Sequence, residues 1–346
     1  MHKYSVALIL TYAGKFPNYF PLWLKSAGAN PDFTFMIFTD ADASGLKIPD
    51  NIQIHYMTIE EIRQRASKHL GFEAVITKLY KLCEYKPLYG LIFEDYLAGY
   101  DFWGHVDPDI VWGNIENFVT DSLLDEYNRL FRLGHFELYR NTDEINHFIL
   151  HELPGWNISY KDAYRVSEPM AMDEGVLTEL LFSKFTYMGG GLQYDRVVFA
   201  DLVPPSKNFR CKLYKTFEDI AAFRWTDGKL YGLAVGGDPE REKEYMYVHL
   251  QKRPMIFHEE LANKNSFMII PNEFVKDHTL TQEEISALMT PDPEYGRAFM
   301  AKYNIGVKRS IFKRIGHFLA RNRAEKILRL KMFWNKLLGR RLYGRY

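Results

Sequence analysis

Two pairs of aspartates stand directly after apolar runs: Asp40-Ala-Asp42 after Phe33–Thr39, and Asp107-Pro-Asp109 after Phe102–Val106. Carboxylates at i and i+2 on a turn can meet a Mg2+ or Mn2+ ion from one side and leave its other side to phosphate and water. An ion held in that way neutralises charge on a departing diphosphate. The spacing by itself is common, since a chain of 346 residues carries about one Asp-x-Asp by chance. The ordinary alternative is a solvated turn, or two caps ahead of Asn114.

What raises the pair above chance is the company it keeps at strand ends. Residues 4–12 read as a buried strand punctuated by Gly14, and Phe33–Thr39 reads as a second. Ile52–Met57 reads as a third strand, ahead of a charged helical stretch over 59–70. Strands alternating with helical stretches predict an α/β fold, with a mixed, mainly parallel sheet flanked by helices. In such sheets ligands sit beyond the carboxyl ends of the strands. Thr11-Tyr12, Asp40 and Asp107/Asp109 all occupy that position, and His249 lies late in a fourth apolar run, Tyr245–Leu250.

Between these landmarks, 78–98 reads as mainly helical around Pro87, Arg132–Tyr139 as a strand and 172–182 as a helix. Residues 222–235 read as a hairpin turning at Asp227-Gly228. Gly189-Gly-Gly191 reads as a chain turn, and Pro291-Asp-Pro293 as a linker. The expected organisation is a catalytic domain over 1–285, then a linker and tail over 286–346.

Bulk composition narrows the function classes. The two cysteines, Cys83 and Cys211, lie far apart without metal-site spacing, which fits a reducing cytosol. No small-residue cleavage site follows the first apolar run, so it reads as a strand and not a signal peptide. No run of roughly 18 apolar residues appears, so nothing is expected to span a membrane. The formal charge of zero conceals polarity: residues 302–346 hold 14 Lys and Arg against the single acid Glu325, while 1–301 hold 30 basic and 43 acidic residues.

The chain resembles bacterial GT-A glycosyltransferases, close to a largely uncharacterised family of cell-surface (capsule and lipopolysaccharide) polysaccharide transferases. The resemblance spans about residues 4–260. It rests on Leu10-Thr-Tyr-Ala-Gly14 with Pro17-Asn-Tyr-Phe20, Phe38-Thr-Asp40, Lys81-Leu-Cys-Glu-Tyr-Lys-Pro87, Trp103-Gly-His-Val-Asp107-Pro-Asp109, Gly134-His-Phe-Glu-Leu-Tyr-Arg-Asn141 and His249-Leu-Gln-Lys252-Arg253. It implies a nucleotide-diphosphate sugar, UDP-linked, as donor, Mn2+ or Mg2+ as cofactor, and a glycan or lipid-linked glycan as acceptor.

It also implies roles. Thr11 and Tyr12 line the nucleotide pocket, and Asp40 lies near base or ribose. Lys86 is a cation near the nucleotide sugar. Asp107 contacts ribose or sugar and, through water, the metal, while Asp109 ligates the ion directly. His249 completes the coordination, Lys252 grips the diphosphate, and Asp173-Glu174 is the acidic pair near sugar and acceptor. The late His-plus-Lys pairing leans towards retention of anomeric configuration. The sequence departs from the full His-x-x-Gly-x-Lys-Pro-Trp form, and Glu84 and Lys86 do not align cleanly with a Ser-Asp-x-x-Arg pattern. Each residue also has a plain structural alternative: a buried, satisfied histidine at 249, a surface turn at 252–253, a solvated helix charge at Lys86, and first-turn helix acids at 173–174.

In the tail, Ile311, Phe312, Ile315, Phe318 and Leu319 fall at helical spacing, and Ile327, Leu328, Leu330, Phe333, Trp334, Leu337 and Leu338 continue the stripe between basic residues. A basic amphipathic helix with Trp and Phe on its apolar side suits an anionic membrane surface. The expected location is therefore cytoplasmic and peripheral at the inner face of the cytoplasmic membrane. Packing on the acidic body is the competing reading of the tail; a nucleic-acid patch ranks last, as no nucleic-acid fold is recognisable. The competing functions are a sugar nucleotidyltransferase, which would show a glycine-rich loop near the first strand, and a non-catalytic membrane-associated scaffold.

Overall fold

A computed structural model describes residues 3–153, 158–173, 175, 178, 180–182, 198–212, 217–234, 241–303 and 323–338. Its centre is a six-stranded sheet built on β1 (Val6–Tyr12), β2 (Phe33–Thr39), β3 (Ile52–Tyr56), β4 (Phe102–Val106), β6 (Arg129–Leu133) and β7 (Phe136–Arg140), in the order β3-β2-β1-β4-β7-β6. The first four strands are parallel, and β7 returns antiparallel to β4. The expected mixed, mainly parallel sheet flanked by helices is present.

β1 shows why a continuous apolar run was needed. Its side chains alternate between faces, and both faces are covered. Val6, Leu8 and Leu10 enter a core with Trp23 and Phe20 of helix α1 (Phe20–Gly28), while Ala7 and Ile9 enter another with Ile62 and Ala66 of helix α2 (Ile59–Leu70). α2 is bounded by a Thr58/Glu61 capping box and by left-handed Gly71.

From β1 the chain adds β2 and β3 on one side and later β4 on the other. The order therefore reverses between β1 and β4, the position at which sheets of this kind open a crevice beyond their carboxyl ends. Gly104 lets β7 approach here: a Cβ at this position would stand 2.3 Å from the Glu137 carbonyl oxygen.

A second sheet carries β5 (Ile110–Trp112), β8 (Ala200–Leu202), β9 (Phe209–Lys212), β10 (Phe217–Ile220) and β14 (Tyr247–His249), in the order β10-β9-β8-β14-β5. A third carries β11 (Ala222–Thr226), β12 (Lys229–Leu233), β13 (Lys243–Tyr245), β15 (Ser266–Ile270) and β16 (Glu273–Lys276). Asp227 and Gly228 turn β11 into β12 with φ of 44° and 84°, as a tight hairpin turn requires.

Four expectations change in detail. The strand read over Arg132–Tyr139 is a hairpin of two strands with an irregular register between Leu130 and Leu133, where Phe131 has φ 65°. The run Tyr245–Leu250 serves two sheets in succession, β13 in one and β14 in another. Residues Leu79–Leu88 form a 3-10 helix that leads into the short α-helix Tyr89–Ile92. Pro291-Asp-Pro293 is a helix start: Asp292 accepts from the Glu294 and Tyr295 amides at 3.0 Å, ahead of helix Pro293–Lys302. The glycine run 189–191 and the tail residues 311–319 lie outside the described residues.

Candidate metal and ligand site

The crevice between β1 and β4 receives the acid pair. β4 ends at Val106, and its buried Trp103 side anchors it, so Asp107 is delivered at the strand's carboxyl edge. Trp23 Nε1 donates to the Asp107 carbonyl at 3.0 Å, fixing the turn from below. β5 then pairs antiparallel with β14, placing Ile110 opposite His249, and Leu250 N–H donates to the Asp109 carbonyl at 2.8 Å. Two residues 140 positions apart in sequence are thereby held side by side: His249 Nε2 lies 3.3 Å from Asp109 Oδ1.

Asp107, Asp109 and His249 each offer a ligand atom within 4.8 Å of the other two. Two carboxylates and an imidazole suit a borderline to hard divalent cation such as Mn2+, and the carboxylates keep 24% and 15% side-chain exposure, open to an incoming ligand. The donor set fits the expected ion.

Electrostatics bind the group together. Burial favours a neutral Asp109, but the His249 imidazolium and the Lys252 amide, donating to Asp109 Oδ2 at 2.9 Å, outweigh it and hold the carboxyl down to about 2. Burial likewise opposes charge on His249, yet Asp109 and then Asp201 raise it to about 10. Lys86 is buried, and its Nζ reaches Asp107 Oδ1 at 2.5 Å and also donates to the Gly134 carbonyl. The Asp107 charge outweighs desolvation and keeps Lys86 protonated well above its ordinary range. Lys86 is thus a paired interior cation and not the solvated helix charge of the plain alternative.

The other residues expected at the site distribute unevenly around this centre. Thr11 Oγ1 meets the Tyr89 hydroxyl at 2.5 Å, and Tyr12 OH donates to the Lys15 carbonyl at 3.0 Å. Burial, reinforced by the Asp109 charge, raises the Tyr12 phenol, which ties it electrostatically to the pair. Asp40 accepts from the Gly14 amide at 2.8 Å and pins the loop after β1, where Gly14 has φ 85°. Lys252 turns its amide to Asp109 and its ammonium over the Tyr80 ring, 4.7 Å from the centroid. That amide is aimed by two consecutive left-handed residues, Gln251 (φ 55°) and Lys252 (φ 61°), a strained arrangement for non-glycine residues. Arg253 points elsewhere, bonding the Lys207 carbonyl at 2.8 Å and Asn272 at 3.2 Å. Asp173 lies near enough for its charge to act on Lys86. Glu174 lies outside the described residues.

Three contributors were not among the expected site residues. Asp201 on β8 lies beside His249 by parallel pairing and accepts from its Nδ1 at 2.9 Å and from Gln251 Nε2 at 2.6 Å. Glu84 accepts from the Ala171 and Met172 amides at 2.8 and 3.3 Å, so it shapes the turn that presents Asp173. His135, in the β6–β7 turn, packs against His249 with centroids 4.2 Å apart and ring planes tilted by 33°. The Lys81-x-x-Glu84 spacing just before Lys86 was the available signal for Glu84; nothing local marked Asp201.

Among families, one described as a family of unknown function (DUF6625) matches the chain over residues 8–278. No curated protein matches. Among solved structures, an active-site mutant of LgtC is 13% identical, with 56% of this chain and 75% of that one covered, at a TM-score of 0.32. The galactosyltransferase LgtC in complex with donor and acceptor sugar analogues is 10% identical over the same shares, at a TM-score of 0.31. Likenesses this weak assign no role to any residue here.

Proposed function

The chain belongs to that family of unknown function, and from its own site we propose that it is a metal-dependent GT-A-type glycosyltransferase. Its donor is a nucleotide-diphosphate sugar, UDP-linked, and its acceptor a glycan or lipid-linked glycan of bacterial surface polysaccharide. One observation carries the reading: Asp107, Asp109 and His249 converge, with ligand atoms within 4.8 Å, at the crevice where the strand order reverses.

Asp109 and His249 hold the ion, which when bound supplies Lewis acidity to the leaving diphosphate. Asp107 would help hold the ion through water and would contact the ribose or sugar, while Lys86 neutralises its Oδ1. Thr11, Tyr12 and Asp40 would line the nucleotide side, and the Lys252 ammonium, here over the Tyr80 ring, would turn to grip the diphosphate. Asp173 and Glu174 are the acids we assign to the acceptor, for which a base must come within hydrogen-bond reach of the attacking hydroxyl. Retention of configuration is the stereochemical outcome we assign.

The test is hydrolysis and transfer from a panel of nucleotide sugars with Mn2+, for wild type and Asp109→Asn. Activity in wild type and its loss in the variant are expected; equal turnover in both removes the acid pair from the mechanism. Pyrophosphate release from a nucleoside triphosphate and a sugar phosphate would instead make the protein a nucleotidyltransferase. Proton NMR of the first-formed product reads the anomer.

The C-terminal helix Arg323–Leu337 supports peripheral attachment to an anionic membrane. One side is docked: Leu328 is buried, Lys331 Nζ reaches Asp162 at 2.7 Å, Ser167 donates to Glu325 at 2.5 Å, and Arg329 bonds Glu168. The other side leaves Ile327, Leu330, Phe333, Trp334, Leu337 and Leu338 exposed, amid a tail rich in Lys and Arg. Among the described residues no helix is long and apolar enough to cross a membrane. Flotation with anionic vesicles tests this face.

A further inference from the structure

His249 has two faces, and only one of them looks at the acid pair. Its Nε2 faces Asp109 at 3.3 Å, and its Nδ1 faces Asp201 at 2.9 Å. Against the His249 ring, centroids 4.2 Å apart, stands His135, 5% exposed, its Nε2 buried and without a hydrogen-bond partner among the described residues. His135, Asp201 and His249 each offer a ligand atom within 4.8 Å of the other two. A simple His249–Asp201 hydrogen bond accounts for two members of this group. It leaves the third, a buried imidazole nitrogen, unsatisfied, which native interiors avoid.

We propose that His135, Asp201 and His249 form a second cation site, with the donor set of a zinc ion. Two imidazoles and one carboxylate, with a fourth position open, form a catalytic-type zinc ligand set. The neighbouring set has two carboxylates and one imidazole and suits Mn2+ or Mg2+ better. A tetrahedral ion about 2.1 Å from each donor separates donors by roughly 3.4 Å, so the 2.9 Å contact of His249 with Asp201 must open by about 0.5 Å to admit it. The proton on Nδ1 leaves as the ion enters.

The two sites share one ring. A neutral imidazole has a single lone pair, so an ion on Nδ1 takes His249 away from Asp107 and Asp109. Zinc therefore antagonises Mn2+ at the acid pair. The zinc site itself needs no nucleotide sugar and stands whether or not the transferase reading does; only the antagonism of activity rests on that reading.

The test is direct binding to the full chain, with Zn2+ by calorimetry and Co2+ as a visible-absorption probe, alongside far-UV circular dichroism for folding. Asp109→Asn is expected to keep Zn2+ binding within about threefold of wild type while losing Mn2+. His135→Gln is expected to weaken Zn2+ by at least about tenfold and to lose the intense absorption of low-coordinate Co2+, while keeping Mn2+. Unchanged Zn2+ binding in His135→Gln overturns the proposal, as does loss of Zn2+ together with Mn2+ in Asp109→Asn. If His135→Gln fails to fold, Asp201→Asn decides: the same tenfold loss of Zn2+ supports the site, and wild-type affinity ends it.

Discussion

His105 and Asp107 are two residues apart at the end of β4, yet they belong to opposite kinds of charged cluster. His105 faces the buried group Arg129, Glu137 and Tyr139. There Arg129 forks onto Glu137 at 2.8–3.1 Å, the Tyr139 hydroxyl adds a further bond, and the Glu137 side chain is wholly buried. Burial, helped by Lys86 and Arg129, keeps His105 neutral, far below its ordinary range. Asp107, just past the strand end, shares its crevice with Asp109 and His249 and keeps open carboxylate surface. Both clusters perturb their ionisable groups strongly, so perturbation alone does not mark a ligand site. What distinguishes the second cluster is its place beyond the strand end and its partly exposed carboxylates.

The comparison sharpens into measurements. Glu137→Ala should break the interior cluster: leaving Arg129 buried and unpaired costs about 3–5 kcal/mol of stability, seen as a large fall in denaturation midpoint. Asp109→Asn should lower that midpoint less, because His249 keeps Asp201 as a partner and can shed its proton, but should reduce Mn2+-dependent turnover by roughly a hundredfold, about 3 kcal/mol of lost charge stabilisation. Equal destabilisation by both substitutions would erase the distinction between the clusters.

A smaller effect follows from the proton on His249. Its neighbours raise the imidazole to about 10, so in the ion-free protein it is charged at neutral pH and an entering cation must displace that proton. Affinity for Mn2+ should therefore rise steadily from about pH 6.5 to about 8.5, with proton release measurable by calorimetry in buffers of different ionisation enthalpy. A flat profile would exclude His249 from the coordination. Smallest in energy is the tail: Phe333→Asp with Trp334→Asp, both exposed, should shift stability by no more than about 0.5 kcal/mol yet abolish flotation with anionic vesicles.

The same contrast explains what the sequence disclosed. β1, β2 and the acid pair were legible because a short continuous apolar run, buried on both faces, ends abruptly in polar residues, and Asp227-Gly228 was legible because its turn demands positive φ. The β6–β7 hairpin was read as one strand because the irregularity near Phe131 breaks the alternation. Asp201 was invisible: its partnership with His249 arises from parallel pairing of strands 48 residues apart. The tail's apolar stripe was legible, but not its division, with Leu328 docked inward and Leu330, Phe333 and Trp334 outward; that depends on Asp162 and Glu168, which lie more than 150 residues earlier.

The central claim is that the Asp107–Asp109–His249 group holds a divalent cation for a nucleotide diphosphate. It is tested most directly by electron paramagnetic resonance titration of free Mn2+ against the full chain, with and without UDP. Saturable binding that UDP tightens, and that Asp109→Asn abolishes in a folded protein, is the predicted result. Binding by folded Asp109→Asn equal to wild type would contradict it.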